Sequence, residues 1–155
     1  MNEVLEWLYV GSVQDAENYG ALKEAGIAAV LTLAWPITHP DDIVVKRVYF
    51  EDGEPIPDEV FYQTLSFVRQ QRRQGRKILI ACSAGISRSP TIAIAVLHEL
   101  EGYPLVEAFR TAIERIHLAQ PRAETWSSLC RFYGQIVTPA DVWGQTPVER
   151  GGVQY

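Results

Sequence analysis

Apolar residues fall along this chain in runs of two kinds, short and continuous or long and spaced by three and four. Leu8, Tyr9 and Val10 form a short apolar run that stops at Gly11, and residues 15–25 carry helical spacing closed by Gly26. Residues 27–34 follow as an apolar, β-branched-rich run of strand length, broken by Trp35 and Pro36. Residues 35–42 hold two prolines and two aspartates and read as a loop, whereas residues 43–50, rich in valine and aromatics, read as a further strand. After a second loop over residues 51–57, residues 58–74 predict a helix. Asp58 is placed to cap it, Val60, Phe61, Leu65, Phe67 and Val68 recur at helical spacing, and Gly75 sits just past its end.

Residues 77–81 then form a buried-strand run around Ile78, Leu79 and Ile80, followed by a seven-residue turn over residues 82–88. Residues 89–101 predict an apolar helix with Pro90 in its first turn, where a missing N–H is tolerated, and Gly102 stops it. Residues 105–116 and 124–136 predict two more helices, separated by a loop around Pro121. Strands alternate with helices early and helices stand alone later. That order predicts a single α/β domain over residues 1–136, with a central, mostly parallel sheet of about five strands and helices on both faces. Residues 137–155 show little periodicity and read as a C-terminal tail, either packed on the surface or partly mobile.

Composition narrows the class. A chain of 155 residues buries about two-thirds of its unfolded surface and needs neither metals nor disulfides to fold as one domain. No apolar run approaches the ~20 residues of a membrane span, and residues 1–10 carry two glutamates and no basic residue, unlike a secretory or transit signal. A cytoplasmic, monomeric protein is therefore expected, without membrane association. The net charge of −5 argues against nucleic acid as a partner. The one dense basic run, Arg69, Arg72, Arg73, Arg76 and Lys77, reads as a solvated helix end complementing the macrodipole. His39, His98 and His117 have no metal-site spacing, so neither a metal nor another cofactor is expected.

The chemistry concentrates in Cys82-Ser83-Ala84-Gly85-Ile86-Ser87-Arg88-Ser89, between a buried strand and a helix N-terminus. Beyond the carboxyl end of a strand, a turn entering a helix aims successive backbone N–H groups at one spot and so holds an anion. Ser83, Ala84, Gly85, Ile86 and Ser87 would line such a nest, with Gly85 folding inward free of a Cβ clash. Arg88 can lay its planar fork on two phosphate oxygens. Cys82, at the mouth of the nest, is then a thiolate nucleophile, and the Ser89 hydroxyl can hydrogen-bond its sulfur and ease its departure.

Cys-x5-Arg-Ser is the signature of the protein tyrosine phosphatase superfamily, and the chain most resembles its compact dual-specificity phosphatases. The likeness extends to Trp7-Leu8-Tyr9-Val10-Gly11-Ser12, to residues 26–34 and to Ser87-Arg88-Ser89-Pro90-Thr91, and it covers roughly residues 3–133. It implies hydrolysis of a phosphorylated protein substrate through a phosphocysteine on Cys82: phosphotyrosine, with phosphoserine and phosphothreonine left open. The resemblance also implies a general acid on a loop about thirty residues before the cysteine, the place that Asp52 occupies, with Glu51, Glu54 and Asp58 as rivals. Two positions depart from the family pattern. Ala81 stands where a histidine is usual, and Pro121-Arg122 stands where a Pro-Asn pair usually supports the phosphate loop.

Cys130 lies in the helical pattern Trp126, Leu129, Cys130, Tyr133 and reads as core, against the alternative of a regulatory disulfide to Cys82. Trp35 either touches substrate or anchors its own loop. Two other functions compete with hydrolysis: a phosphoprotein-binding module without turnover, and a rhodanese-type sulfurtransferase. Retention of Cys82, Arg88 and Asp52 speaks against the first, and the Asp52 acid against the second. The uncharged loop residues favour a singly phosphorylated side chain over a lipid phosphate, for which relatives add lysines.

Overall fold

The computed structural model describes residues 1–143, 149–150 and 153–154, so part of the tail expected over 137–155 lies outside the described residues. Five strands form one sheet: β1 (Asn2–Leu5), β2 (Leu8–Ser12), β3 (Ile27–Thr32), β4 (Val44–Arg47) and β5 (Lys77–Cys82), in the spatial order β1-β2-β5-β3-β4. β1 pairs with β2 antiparallel, and every other pairing is parallel. The helices are α1 (Val13–Glu17), α2 (Tyr19–Ala25), α3 (Asp58–Arg73), α4 (Arg88–Glu99), α5 (Leu105–Arg115), α6 (Ala123–Tyr133) and α7 (Pro139–Trp143). Two short strands, β6 (Glu149–Arg150) and β7 (Val153–Gln154), pair with each other.

β5 is the middle strand, and alternation splits its side chains between two cores. Ile78, Ile80 and Cys82 join a large cluster with Phe61 and Leu65 of α3, Ile92 and Val96 of α4, and Phe109 of α5. Leu79 and Ala81 join a smaller cluster with Ala16 of α1, Leu22 of α2 and Val30 of β3. Because both faces of the strand are covered, it reads as a continuous apolar run rather than an alternating one.

Several elements differ from their sequence expectations, each for a local reason. The helix expected over residues 15–25 is two helices, because the Asn18 side chain accepts the Ala21 N–H at 3.0 Å and starts a new one. α1 begins earlier, at Val13, where Ser12 and Asp15 form a reciprocal capping box. Asp58 is not the cap of α3; Pro57 occupies that position without a side-chain bond, and Asp58 opens the first turn, where its charge suits the macrodipole. β4 spans four residues rather than residues 43–50, and the chain beyond it leaves the sheet to reach the site described below. α6 stops at Tyr133 rather than at 136, because Gly134 takes a left-handed conformation with φ 62°.

The basic run at the end of α3 is largely engaged with the protein. Arg69 pairs with Glu99 at 3.0 Å, the Arg72 guanidinium lies 4.8 Å from the centroid of the Trp7 ring, and Arg76 donates to Gln71 at 2.8 Å. Among the described residues no helix is long and apolar enough to cross a membrane.

Candidate active site

β5 delivers Cys82 to the carboxyl edge of the sheet, where Ser12, at the end of β2, is its register partner. Cys82 is 3% exposed, whereas Ser83 and Ala84 beside it are open to solvent. The Cys82 Sγ lies 3.1 Å from the Ser89 Oγ, and that hydroxyl also lies 3.4 Å from the Gly11 carbonyl. The serine therefore has two acceptors to choose between, the sulfur and a backbone oxygen.

The turn itself is closed by Gly85, with φ +72°. A Cβ built there would lie 2.9 Å from the Gly11 carbonyl carbon and 3.0 Å from its oxygen, both backbone atoms. Gly11 cannot retreat, because it is held in the β2–β5 ladder opposite Ala81. Gly85→Ala adds left-handed strain to this contact and is expected to destabilise the fold by roughly 2–4 kcal/mol. It is also expected to lower kcat/KM about tenfold by deforming the nest. Urea unfolding and steady-state kinetics check the two effects, and an unchanged midpoint would show that the loop tolerates a side chain here.

Arg88 opens α4, and three acceptors fix its guanidinium. Nη1 donates to the Phe50 carbonyl at 2.9 Å and reaches the Leu33 carbonyl at 3.4 Å, while Nη2 donates to the Ser83 hydroxyl at 2.9 Å. The ends of β3 and of the segment after β4 thus hold the fork against the loop. No side chain caps α4, so its first N–H groups are left for an anion in the nest.

The segment around Pro121 supports the loop from outside. The Gln120 N–H donates to the Ile86 carbonyl at 2.6 Å, and the Arg122 N–H donates to the Ser87 hydroxyl at 3.1 Å. From the inside, the Thr91 hydroxyl donates to the Ser87 carbonyl at 2.8 Å. Where the family pattern has an asparagine, backbone N–H groups do the holding here. Ala81, 1% exposed, belongs to the apolar cluster on the sheet face opposite Cys82. A histidine would crowd that cluster with a polar ring, and the loop contacts just described do not involve position 81.

Asp52 meets the same loop. Its Oδ1 accepts from the Ser87 hydroxyl at 2.7 Å, and its Oδ2 lies 3.2 Å from the Arg122 Nε. The rival carboxylates have other surroundings: Glu51 accepts from the Tyr49 hydroxyl, Glu54 is exposed on the same loop, and Asp58 opens α3. The Arg122 guanidinium was not anticipated as part of this group, nor was Ser87 as the link between Asp52 and the loop. No local pattern announces either, since each depends on which segments the fold juxtaposes.

The remaining candidates stand apart. His39 Nε2 is 2.6 Å from the Ala16 carbonyl and His98 Nδ1 is 2.7 Å from the Tyr103 carbonyl, both structural contacts. His117 contributes its backbone N–H to Asn2. Among the described residues no cluster of three or more His, Cys, Asp or Glu is placed to hold a metal. Cys130 is a buried free thiol that packs in the main core, and burial pushes its pKa up, which disfavours the reactive thiolate. Trp35 is 61% exposed, and its carbonyl accepts from the Thr32 hydroxyl at 2.7 Å.

A central parallel strand that feeds a cysteine into an anion-binding loop, with an arginine fork at the following helix, defines the class of cysteine-dependent phosphatases. Within it, the chain belongs to the dual specificity phosphatase family, whose catalytic-domain model matches residues 8–135. It is 35% identical over 119 residues to dual specificity protein phosphatase 1 of Arabidopsis thaliana, an alignment covering 75% of this chain and 60% of that protein. To dual specificity protein phosphatase 1B of the same plant it is 33% identical over 135 residues, covering 85% and 81%. Of the Xenopus laevis dual specificity protein phosphatase 1-A it spans 38%, so several relatives are considerably longer proteins. Among solved structures, human DUSP28 superposes with a TM-score of 0.78 at 23% identity, covering 86% of this chain and 96% of that one, and shares the fold. DUSP15 does so with a TM-score of 0.77 at 26% identity, covering 84% and 85%.

Proposed function

We propose that this chain is a protein phosphatase that hydrolyses phosphotyrosine, and phosphoserine and phosphothreonine as well, through a phosphocysteine on Cys82. The observation that carries the reading is that Asp52, from the segment after β4, accepts from Ser87 of the seven-residue loop whose two ends are Cys82, 3.1 Å from Ser89, and Arg88, folded back on Ser83. Backbone N–H groups of residues 83–88 and the Arg88 fork hold the phosphate dianion. The Cys82 thiolate attacks phosphorus; the P–S bond forms as the P–O bond breaks, and Asp52 gives its proton to the leaving oxygen. In the second half, Asp52 takes a proton from water, the water oxygen attacks phosphorus, and the P–S bond breaks. Ser89, 3.1 Å from the sulfur, donates a hydrogen bond to the departing thiolate.

Asp52 separates this reading from its competitors. Sulfur transfer has no leaving oxygen to protonate, and a phosphoprotein-binding module needs no acid. We place the catalytic domain at residues 1–136 and assign it a phosphorylated protein substrate, a monomeric state and a cytoplasmic location. The sequence's acidic balance argues against nucleic acid as a partner, and the uncharged loop residues favour a phosphorylated side chain over a lipid phosphate. Acid quenching during turnover of a radiolabelled phosphotyrosine peptide is expected to trap label on the Cys82 peptide. Turnover without trapped label on any cysteine, under conditions where breakdown limits the rate, would sink the covalent mechanism.

A further inference from the structure

We propose that Arg122 is a positioning residue for the acid, its guanidinium holding the Asp52 carboxylate at the rim of the phosphate loop for proton delivery. The inference rests on the reading of Asp52 as the acid. Each carboxylate oxygen has one partner, Ser87 on Oδ1 at 2.7 Å and Arg122 on Oδ2 at 3.2 Å, so the plane of the group is held at two points.

Arg122 acts on this arrangement twice. Its backbone N–H donates to the Ser87 oxygen at 3.1 Å, which leaves the serine hydrogen to point at Asp52. Its side chain crosses the acid loop itself. Gly53, next to Asp52, has φ +80°, and a Cβ there would lie 3.2 Å from both Cδ and Nη1 of Arg122. The absence of a side chain at 53 is what lets the guanidinium lie so close to that backbone.

The loop needs such a hold. Phe50 is fixed through its carbonyl to Arg88, and Ile56 through its N–H to the Ser128 hydroxyl at 2.8 Å, while Asp52, Gly53 and Glu54 span the interval between them. With side chains 60% and 31% exposed, the Arg122–Asp52 pair contributes little to overall stability. Its consequence is in the reaction. As Asp52 gives up its proton it becomes a full carboxylate facing the cation, so the contact strengthens toward the transition state, where an interaction raises kcat.

The test uses Arg122→Gln and Arg122→Lys, both of which keep the backbone N–H on Ser87, with phenyl phosphate and p-nitrophenyl phosphate as poor and good leaving groups. Arg122→Gln is expected to lower kcat/KM for phenyl phosphate about tenfold or more. For p-nitrophenyl phosphate, kcat/KM should stay within about twofold, because little protonation is needed. Arg122→Lys, which retains a cation, is expected to recover part of the loss. On an Asp52→Asn background, Arg122→Gln should add nothing. An equal loss for both leaving groups, a further loss on the Asp52→Asn background, no recovery with lysine, or no loss at all would each overturn the assignment. Failure of the underlying reading looks different: Asp52→Asn itself would then show no preference between the two leaving groups.

Discussion

Cys82→Ser is expected to abolish turnover while leaving phosphopeptide binding in place. On the proposed mechanism, the substitution removes the atom that forms the covalent bond, and it touches little else. Gly85 still closes the turn, the Gln120 and Arg122 N–H groups still brace it, and Arg88 keeps its hold on Phe50 and Ser83. A serine hydroxyl at this position meets Ser89, another hydroxyl 3.1 Å from the Cys82 sulfur and no base. It therefore stays protonated and nucleophilically weak. Loss of a covalent nucleophile costs on the order of 10⁴- to 10⁶-fold in kcat. Binding of a labelled phosphotyrosine peptide, followed by fluorescence anisotropy, should stay within about threefold of the native protein, because N–H donors and the arginine fork supply it. Arg88→Ala provides the contrast. It removes the fork and a charge-assisted pair of bonds, so binding and turnover fall together. Turnover by purified Cys82→Ser above a few per cent of native would end the phosphocysteine mechanism.

The parts of the site that could be read before the fold were the contiguous ones. Residues 82–89 carry their chemistry in adjacent positions, and the apolar run before them marks the buried strand that presents it. The helix end at Gly26 was visible, because a left-handed turn favours glycine, whereas the one at Gly134 was passed over in a helix expected to run to 136. β1 was not visible. Only Val4 of its four residues is buried, so no alternation is left to detect, and the strand exists through its pairing with β2. Asp52, Ser87 and Arg122 show the same limit within the site. Ser87 lies 35 residues from each of the other two, and their meeting is fixed by where β4, α4 and the turn before α6 end in space. Asp52 was placed by family resemblance, and Arg122 appeared first as a departure from the family pattern. Its contact with the acid became legible only from the structure.

Asp52→Asn is expected to lower kcat/KM, which reports the step in which the leaving group departs, by about 10²- to 10⁴-fold for substrates with poor leaving groups and far less for good ones. The asparagine retains the shape of the carboxylate and an acceptor oxygen for Ser87, so the loop loses its proton source and its charge rather than its packing. On the proposed mechanism, the proton given up by Asp52 neutralises the oxygen that leaves phosphorus. A p-nitrophenolate is stable enough to depart as an anion and gains little from that proton. A tyrosine phenolate, whose conjugate acid has a pKa of about 10, gains more. A serine or threonine alkoxide is far more basic still and gains most. Phosphoserine peptides should therefore suffer more than phosphotyrosine peptides, and both more than p-nitrophenyl phosphate, when Asp52 is neutralised. The order follows leaving-group basicity and not substrate size, which separates an acid from a residue that merely shapes the pocket. A series of ring-substituted aryl phosphates checks it directly: the plot of log kcat/KM against leaving-group pKa should be steeper for Asp52→Asn than for the native enzyme. Parallel lines would remove Asp52 from the acid's role and transfer the question to Glu54, the exposed carboxylate two residues further along the same loop.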